Sequence, residues 1–301
     1  HYLLLKERAA LVAAMPLYLK THSYGEYVFD WSWADAYSRH GLEYYPKLLC
    51  AVPFTPVTGP RLLAPEPRDR ERLVAAALTL ARELEVSSLH CLFPPAEDTD
   101  ALAASGMMIR HGVQFHWSNA HYESFEQFLS GMNHDKRKKV KQERRRVREA
   151  GITFEWREGR DIDEHEWAFF FRCYTHTYRE RGRRPYLNAE FFQRIGRTMP
   201  ENIVLVLAYR AGRPIASSFG IHDGTRLYGR YWGALEHVPL LHFETCYYQL
   251  IEYAIARGLQ TFEGGAQGEH KMARGLMPVE TRSAHWVARR EFAAAIEDFL
   301  T

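Results

Sequence analysis

Residues 262–276 read FEGGAQGEHKMARGL and place two carboxylates, an imidazole and an ammonium group (Glu263, Glu269, His270 and Lys271) just behind an apolar strand end at Phe262. Carboxylates and imidazoles take and return protons, and a lysine beside them can hold developing negative charge. Gly264 and Gly265 stand where a backbone would have to approach a ligand closely. The stretch lacks any apolar rhythm, so its composition alone fits a polar surface loop equally well. His242 and Glu244 open the preceding helical segment, HFETCYYQLIEYAIARGL, where they would face the same gap. Glu244 there would alternatively only complement the helix dipole.

A second charged feature is NHDKRKKVKQERRRVREAG, residues 133–151, with nine Lys or Arg between Lys136 and Arg148. Only Val140 and Val147 mark an apolar seam, extended back to Leu129 and Met132, so the helix is narrow-seamed and otherwise basic. Either it is a solvated face, or Arg137, Lys141, Arg144 and Arg145 hold phosphates in a salt-sensitive way. A third cluster, YTHTYRERGRRPYL, supplies Tyr178, Arg183, Arg184 and Tyr186, suited to an acidic acceptor; Tyr174 and Tyr178, four apart on a helix, fit core packing as well. Glu26, Trp31 and Trp33 lie in the aromatic stretch SYGEYVFDWSWADAY, and Trp232 in RLYGRYWGAL; Glu26 and Trp232 complete the acceptor-side candidates.

The elements that must position these groups come from a divergent repeat. ASGMMIRHGVQFHW (104–117) and ARGLMPVETRSAHW (273–286) coincide without a gap at Ala104/Ala273, Gly106/Gly275, Met108/Met277, His116/His285 and Trp117/Trp286. A helix ending in ARxL precedes each, and further back YLLLKERAALVAAMPLYL and VLVLAYRAGRPIASSFGI both read as strand, tight turn, strand. Each copy thus reads as hairpin, extended segment, amphipathic helix, strand, irregular stretch and closing strand. Copy two also shows a beginning: the strand ITFEWR and the helices DEHEWAFFFRCYTHTYRER and LNAEFFQRIGRTM. Copy one lacks that beginning, and the chain opens at His1 inside an apolar segment, so a fragment of a longer protein is expected. The expected fold is α/β, with α+β mixed sheets in two tandem domains. The first covers 1–118 and the second 119–289; residues 290–301 form a helix packing back on the first. His116 and His285, at equivalent strand positions, are expected to be structural.

Bulk properties agree with a globular chain. Its 301 residues are 46% hydrophobic and 25% charged with a net charge of +2, so any phosphate affinity is local. The cysteines (50, 91, 173, 246) form no CxxC pair, and no HExxH or paired-His spacing occurs, so no metal is expected. With no apolar run near the roughly 20 residues of a membrane span, a cytoplasmic address is expected.

The element order is that of the GNAT acyltransferase fold. HSYGEYVFDWSWADAYSRHGLEYYPKLLCAVPFTPVTGPRLL (22–63) and FEGGAQGEHKMARGLMPVETRSAHW (262–286) resemble the FemAB-like predicted N-acyltransferases, a bacterial family associated with peptidoglycan biosynthesis or recognition. The resemblance implies tandem GNAT-like domains and transfer of an acyl or aminoacyl group to an amine, possession of which by a cell-wall precursor would make that the acceptor. The donor is acyl-coenzyme A, or aminoacyl-tRNA as in the Fem aminoacyl transferases, which share the basic helix and a Gly-Gly strand end followed by a lysine. The phenylalanine that usually precedes that lysine is His270 here. Under this reading Glu263, Glu269, His270 or Glu244 removes the amine proton, and Lys271 steadies the oxyanion or a donor phosphate. Gly264, Gly265, His242 and the four basic-helix residues hold the donor, while Glu26, Tyr178, Arg183, Arg184, Tyr186 and Trp232 meet the acceptor. The competing reading is a non-catalytic module recognising a cell-wall precursor or a partner protein.

Overall fold

Two hairpin turns show how closely local chemistry follows the sequence. Arg8 and Ala9 both take left-handed backbone (φ 46° and 75°), and so do Ala211 and Gly212 (φ 50° and 74°). Paired left-handed residues twist with the flanking strands, which is why each turn joins two antiparallel neighbours. A computed structural model describes residues 1–265 and 268–300, with the backbone but not the side chain of Glu269. Along it run β1 (Tyr2–Glu7), β2 (Ala10–Pro16), β3 (Tyr18–Lys20), β4 (Lys47–Cys50), β5 (Ser88–Leu92), β6 (Met108–Ser118), β7 (Ile152–Glu158), β8 (Ile203–Arg210), β9 (Arg213–His222), β10 (Arg226–Ala234), β11 (Thr261–Glu263) and β12 (Met277–Val287).

The chain divides into two units, residues 1–114 with 280–301, and residues 115–279. In the first, β3 pairs antiparallel with β4, β4 parallel with β5, and β5 antiparallel with β12. Helix Pro67–Glu83 makes the crossover that two parallel strands require, with proline at its start. It buries Leu73, Val74, Ala77 and Ala81 against Leu48, Leu89 and Ala284. Helix Arg290–Leu300 belongs to this unit, with Phe292 4.1 Å from Tyr37 between ring centroids.

In the second unit, β7, β8, β9 and β10 form an antiparallel run, β10 pairs parallel with β11, and β11 pairs antiparallel with β6. Alternation sorts the side chains. Val204, Val206, Leu227, Phe262 and Trp117 face the crossover helix, where Tyr248, Ile251 and Ala254 are buried. Ile203, Leu205 and Phe219 face the other way, against Trp167, Phe170, Tyr174 and Phe192 of helices Glu164–Glu180 and Ala189–Thr198. The crossover helix runs Leu241–Phe243, then a π turn at Glu244–Tyr248, then Gln249–Ala256.

One expectation is overturned by the pairings. Each copy was expected to close on its own last strand, yet β5 of copy one pairs with Ser283–Val287 and β11 of copy two pairs with His116–Ser118. The HW dipeptide at both positions lets either strand fill either place. Two helices, Trp31–Arg39 and Ala96–Ala104, were also not anticipated. A chain ending at residue 279 therefore exposes the edge of β5 in the first unit. It is expected to lose cooperative unfolding of that unit in a urea titration followed by near-ultraviolet circular dichroism.

Candidate active site

Among the described residues β10 and β11 are hydrogen-bonded over Arg226↔Thr261, Leu227↔Phe262 and Tyr228↔Glu263, after which β10 runs on to Ala234 paired with β9 on its other side. The ladder between the two strands ends at that point, and Gly264 and Gly265 follow. Gly265 has φ 88°, a conformation that disfavours any residue with a Cβ. At Gly264 a Cβ would lie 2.8 Å from Leu276 Cδ2 and 3.4 Å from the Tyr247 ring. The glycine pair brings the chain round into a short 3₁₀ helix, Glu269–Arg274.

The Glu269–Arg274 turn is anchored by buried side chains. Arg274, 2% exposed, donates through Nη2 to Glu143 Oε1 at 2.8 Å and through Nη1 to the carbonyl of His270 at 2.7 Å. The Tyr248 hydroxyl donates to the same Glu143 carboxylate. The Arg274 guanidinium also lies 3.4 Å from the centroid of the Phe243 ring. Neither Glu143 nor Arg274 was recognised from sequence. Arg274 stood out only as part of the repeat, and Glu143 only as one acid in a basic run.

Lys271, also 2% exposed, is carried inward by this turn. Its Nζ donates to the carbonyl of Gly265 at 2.7 Å and stands 5.9 Å from the Tyr247 ring centroid. Burial lowers its pKa to about 8. Glu263 ends β11 on the alternate side of the strand from Phe262 and is 5% exposed. Burial pushes its carboxyl up to about 7, against the pull of Arg226. Arg226 Nη1 is 3.7 Å from Oε1, and His116 Nε2 is 3.8 Å from Oε2. His116, expected to be structural, thus stands beside a candidate base. Burial, with the charges of Arg226 and Lys271, holds it down to about 4. The directly facing β6 and β11 residues would have revealed this neighbour, had the strand exchange been legible.

The remaining candidates scatter. His270 is exposed, with Nε2 3.3 Å from the Tyr247 hydroxyl. The side chain of Glu269 lies outside the described residues. His242 packs edge-on against Trp232 at 5.0 Å between centroids. Burial holds His242 down to about 4, so at neutral pH it brings no positive charge to a phosphate. Glu244 is buried and accepts from Arg144 Nε at 3.0 Å and Gln249 Nε2 at 2.8 Å, and Arg144 Nη2 reaches Glu252 at 2.6 Å. Arg144 is therefore withdrawn from the solvated face, and its charge and that of Glu244 satisfy each other. Arg137, Lys141 and Arg145 instead line an open hollow of about 630 Å³ with His134, Lys138 and Arg148. Two of its cations carry acidic partners, Lys141 with Glu126 at 2.8 Å and Arg145 with Glu149 at 3.5 Å.

Tyr174 is core, and Tyr178 packs edge-on between it and Tyr186, while Arg183 and Arg184 are exposed. Glu26 is no surface contact in the first unit. It is buried and accepts from Lys47 Nζ at 2.8 Å. In that unit Arg61 likewise turns inward, donating to the carbonyls of Leu92 at 2.8 Å and Val57 at 2.7 Å.

The arrangement can therefore offer a proton acceptor, Glu263, at the end of the β10–β11 ladder, and a buried cation, Lys271, on the Tyr247 side. A family profile described as FemAB-like, peptidoglycan biosynthesis/recognition, matches residues 1–301. Among curated proteins none matches the sequence. Solved structures share the fold at low identity. FemX is 10% identical with a TM-score of 0.55, covering 99% of this chain and 90% of its own. L-PGS from Bacillus licheniformis is 11% identical with a TM-score of 0.58, covering 85% and 83%. The C-terminal domain of a lysylphosphatidylglycerol synthetase from Agrobacterium fabrum is 10% identical with a TM-score of 0.56, covering 84% and 81%. No helix among the described residues is long and apolar enough to cross a membrane.

Both buried site charges act against folding at neutral pH. Glu263 has a folded pKa above its ordinary 4.5, so stability falls as pH rises from 4.5 through about 7. Lys271 has a folded pKa below its ordinary 10.5, so stability is recovered as pH rises from about 8 to 10.5. Glu263→Gln is expected to melt higher than the parent at pH 8, and Lys271→Met higher at pH 7, by roughly 2–4 °C for each kcal/mol recovered. Scanning calorimetry across pH checks both, and a lower melting temperature in either variant would show the charge to be satisfied. Arg274→Met, by contrast, leaves Glu143 buried and unpaired and should cost about 3–5 kcal/mol in urea unfolding, much of it restored by adding Glu143→Met.

Proposed function

Since the chain belongs to the FemAB-like family, we propose that it is an N-acyltransferase whose second unit moves an acyl or aminoacyl group from an activated donor to an amine. The observation that carries this reading is the end of the β10–β11 ladder, with Glu263 and Lys271 each buried there and shifted by burial toward its neutral form. Proteins retain such destabilised groups chiefly where they work.

In the proposed reaction the donor carbonyl lies beyond the end of the β10–β11 ladder. The acceptor amine attacks from the side of Glu263, whose carboxylate takes the amine proton as the nitrogen–carbon bond forms. The bond from the acyl carbon to its sulfur or oxygen then breaks, and the leaving group acquires a proton. Lys271 and backbone N–H groups of β10 beyond its ladder with β11 steady the oxyanion between these events. No cysteine nucleophile is needed, and Cys246, its thiol pushed well up by burial, is poorly suited to be one.

The donor is acyl-coenzyme A or aminoacyl-tRNA. The open basic hollow along His134–Glu149 favours a donor with several phosphates, through Arg137, Lys141 and Arg145 rather than Arg144. The family description favours a cell-wall precursor as acceptor, with Arg183, Arg184 and Tyr186 as exposed groups able to meet its acidic parts.

Calorimetric titration with acetyl-coenzyme A and, separately, with charged tRNA, each at low and physiological salt, is the test. Saturable binding of one donor is expected, weakened by salt and by reversing the charges of Arg137, Lys141 and Arg145. With that donor and an amine acceptor, Glu263→Gln and Lys271→Met should each lower turnover by at least about 10²-fold while leaving donor affinity nearly unchanged. Equal loss of binding and turnover, or binding of neither donor, would point to a recognition module.

A further inference from the structure

The two units carry the same three-point arrangement at one register of their sheets. In the first unit Leu48 pairs with Leu89 and Leu89 with Trp286; in the second Leu227 pairs with Phe262 and Phe262 with Trp117. Superposing these ladders places Lys47 on Arg226, His90 on Glu263, and His285 on His116. Each set is a cation, a titratable group on the parallel neighbour, and an imidazole directly across from it. Residues on one side of a sheet meet across strands, so the His90–His285 pair and the Glu263–His116 pair are equivalent, whereas Lys47 turns away to Asp30 and Glu26.

In the first unit every member is tied down. Lys47 donates to Asp30, to Glu26 at 2.8 Å and to Ser23 at 2.7 Å. The Tyr44 hydroxyl lies 2.7 Å from Asp30 and 3.0 Å from His90 Nε2, and His90 Nδ1 is 2.7 Å from His285 Nδ1. Ser88 and Ser283 each stand 2.8 Å from an imidazole Nε2. In the second unit the carboxylate is itself the central group. Glu263 meets Arg226 at 3.7 Å on Oε1 and His116 at 3.8 Å on Oε2, and the Arg226 side chain is 50% exposed. Among the described residues the other charged or titratable groups acting on Glu263 are Asp223, Tyr228 and Arg230, with the Tyr228 hydroxyl donating to Asp223 at 2.9 Å, while Lys271 acts on His116.

We propose that Glu263 and His116 form a proton-handling pair in which His116 is the positioning residue. Its Nε2–H turns Oε2 and favours the carboxylate when the acceptor's proton must be taken, with Arg226 steadying the other oxygen from the rim. The proposal rests on Glu263 being the base of the acyl transfer. The separation on Oε2 is just outside hydrogen-bond reach, as acid–base pairs commonly stand before reactants draw them together. The first unit shows what the register permits when the partner is an imidazole, with the two side chains in direct hydrogen-bond contact.

The test is a carbon-13 titration of the Glu263 carboxyl in the full chain, labelled at glutamate side chains and assigned by loss of the signal in Glu263→Gln. His116→Leu removes the N–H donor and should raise the proton affinity of Glu263 at least about threefold. His116→Gln retains a donor and should keep the affinity close to the parent. An unchanged titration in His116→Leu, or an equal shift in both variants, would overturn the pairing. The measurement uses neither donor nor acceptor. A protein that shows the expected shift but turns over no acyl donor would therefore sink the acyl-transfer reading and leave the pair intact.

Discussion

The ion pair between Arg274 and Glu143 is the constraint on which the site depends. An arginine and a carboxylate this deeply buried persist only when each is matched by good geometry and extra hydrogen bonds, and here Tyr248 and the His270 carbonyl supply them. Arg274 ends the turn that carries Lys271, and Glu143 lies on the inner face of the basic helix. One interaction thus fixes the lysine, the π turn through Tyr248, and the helix whose outer face carries the cations. The helix is not merely a rack of positive charge. Its inner face, Val140, Glu143, Arg144 and Val147, is structural, and that leaves only its outer face for phosphates.

The site's electrostatics come from withheld solvation more than from paired charge. Glu263 and Lys271 are both shifted toward their neutral forms by burial, one up and the other down. Elsewhere buried charges are neutralised locally, as with Arg144 against Glu244 or Lys47 against Asp30. That contrast, within one chain, separates charges that build the fold from charges left available for chemistry.

Much of the architecture was legible because periodicity and turn chemistry are local. The two hairpin turns, the two amphipathic crossover helices and the strand end at Phe262 all follow from patterns within about ten residues. The helix Trp31–Arg39 escaped although Asp30, a favoured N-cap type, precedes it; in the fold that carboxylate does not cap but is drawn off by Lys47 and Tyr44. Site groups that were misplaced or missed depend on partners far along the chain. Arg144 finds Glu244, and Arg274 finds Glu143, roughly a hundred residues or more away. The exchange of closing strands could not be read at all, because the two candidate strands carry the same HW signature.

That exchange has a consequence for how the protein is made. As the chain emerges from the ribosome, β5 has its parallel neighbour early, but its antiparallel neighbour, Ser283–Val287, is synthesised nearly two hundred residues later. Through all of that interval the first unit presents an unpaired strand edge, the feature most prone to wrong association in a nascent chain. β11, by contrast, finds Phe115–Ser118 already made when it appears. The second unit can therefore complete its sheet first, and the unit encoded earlier is the one that must wait.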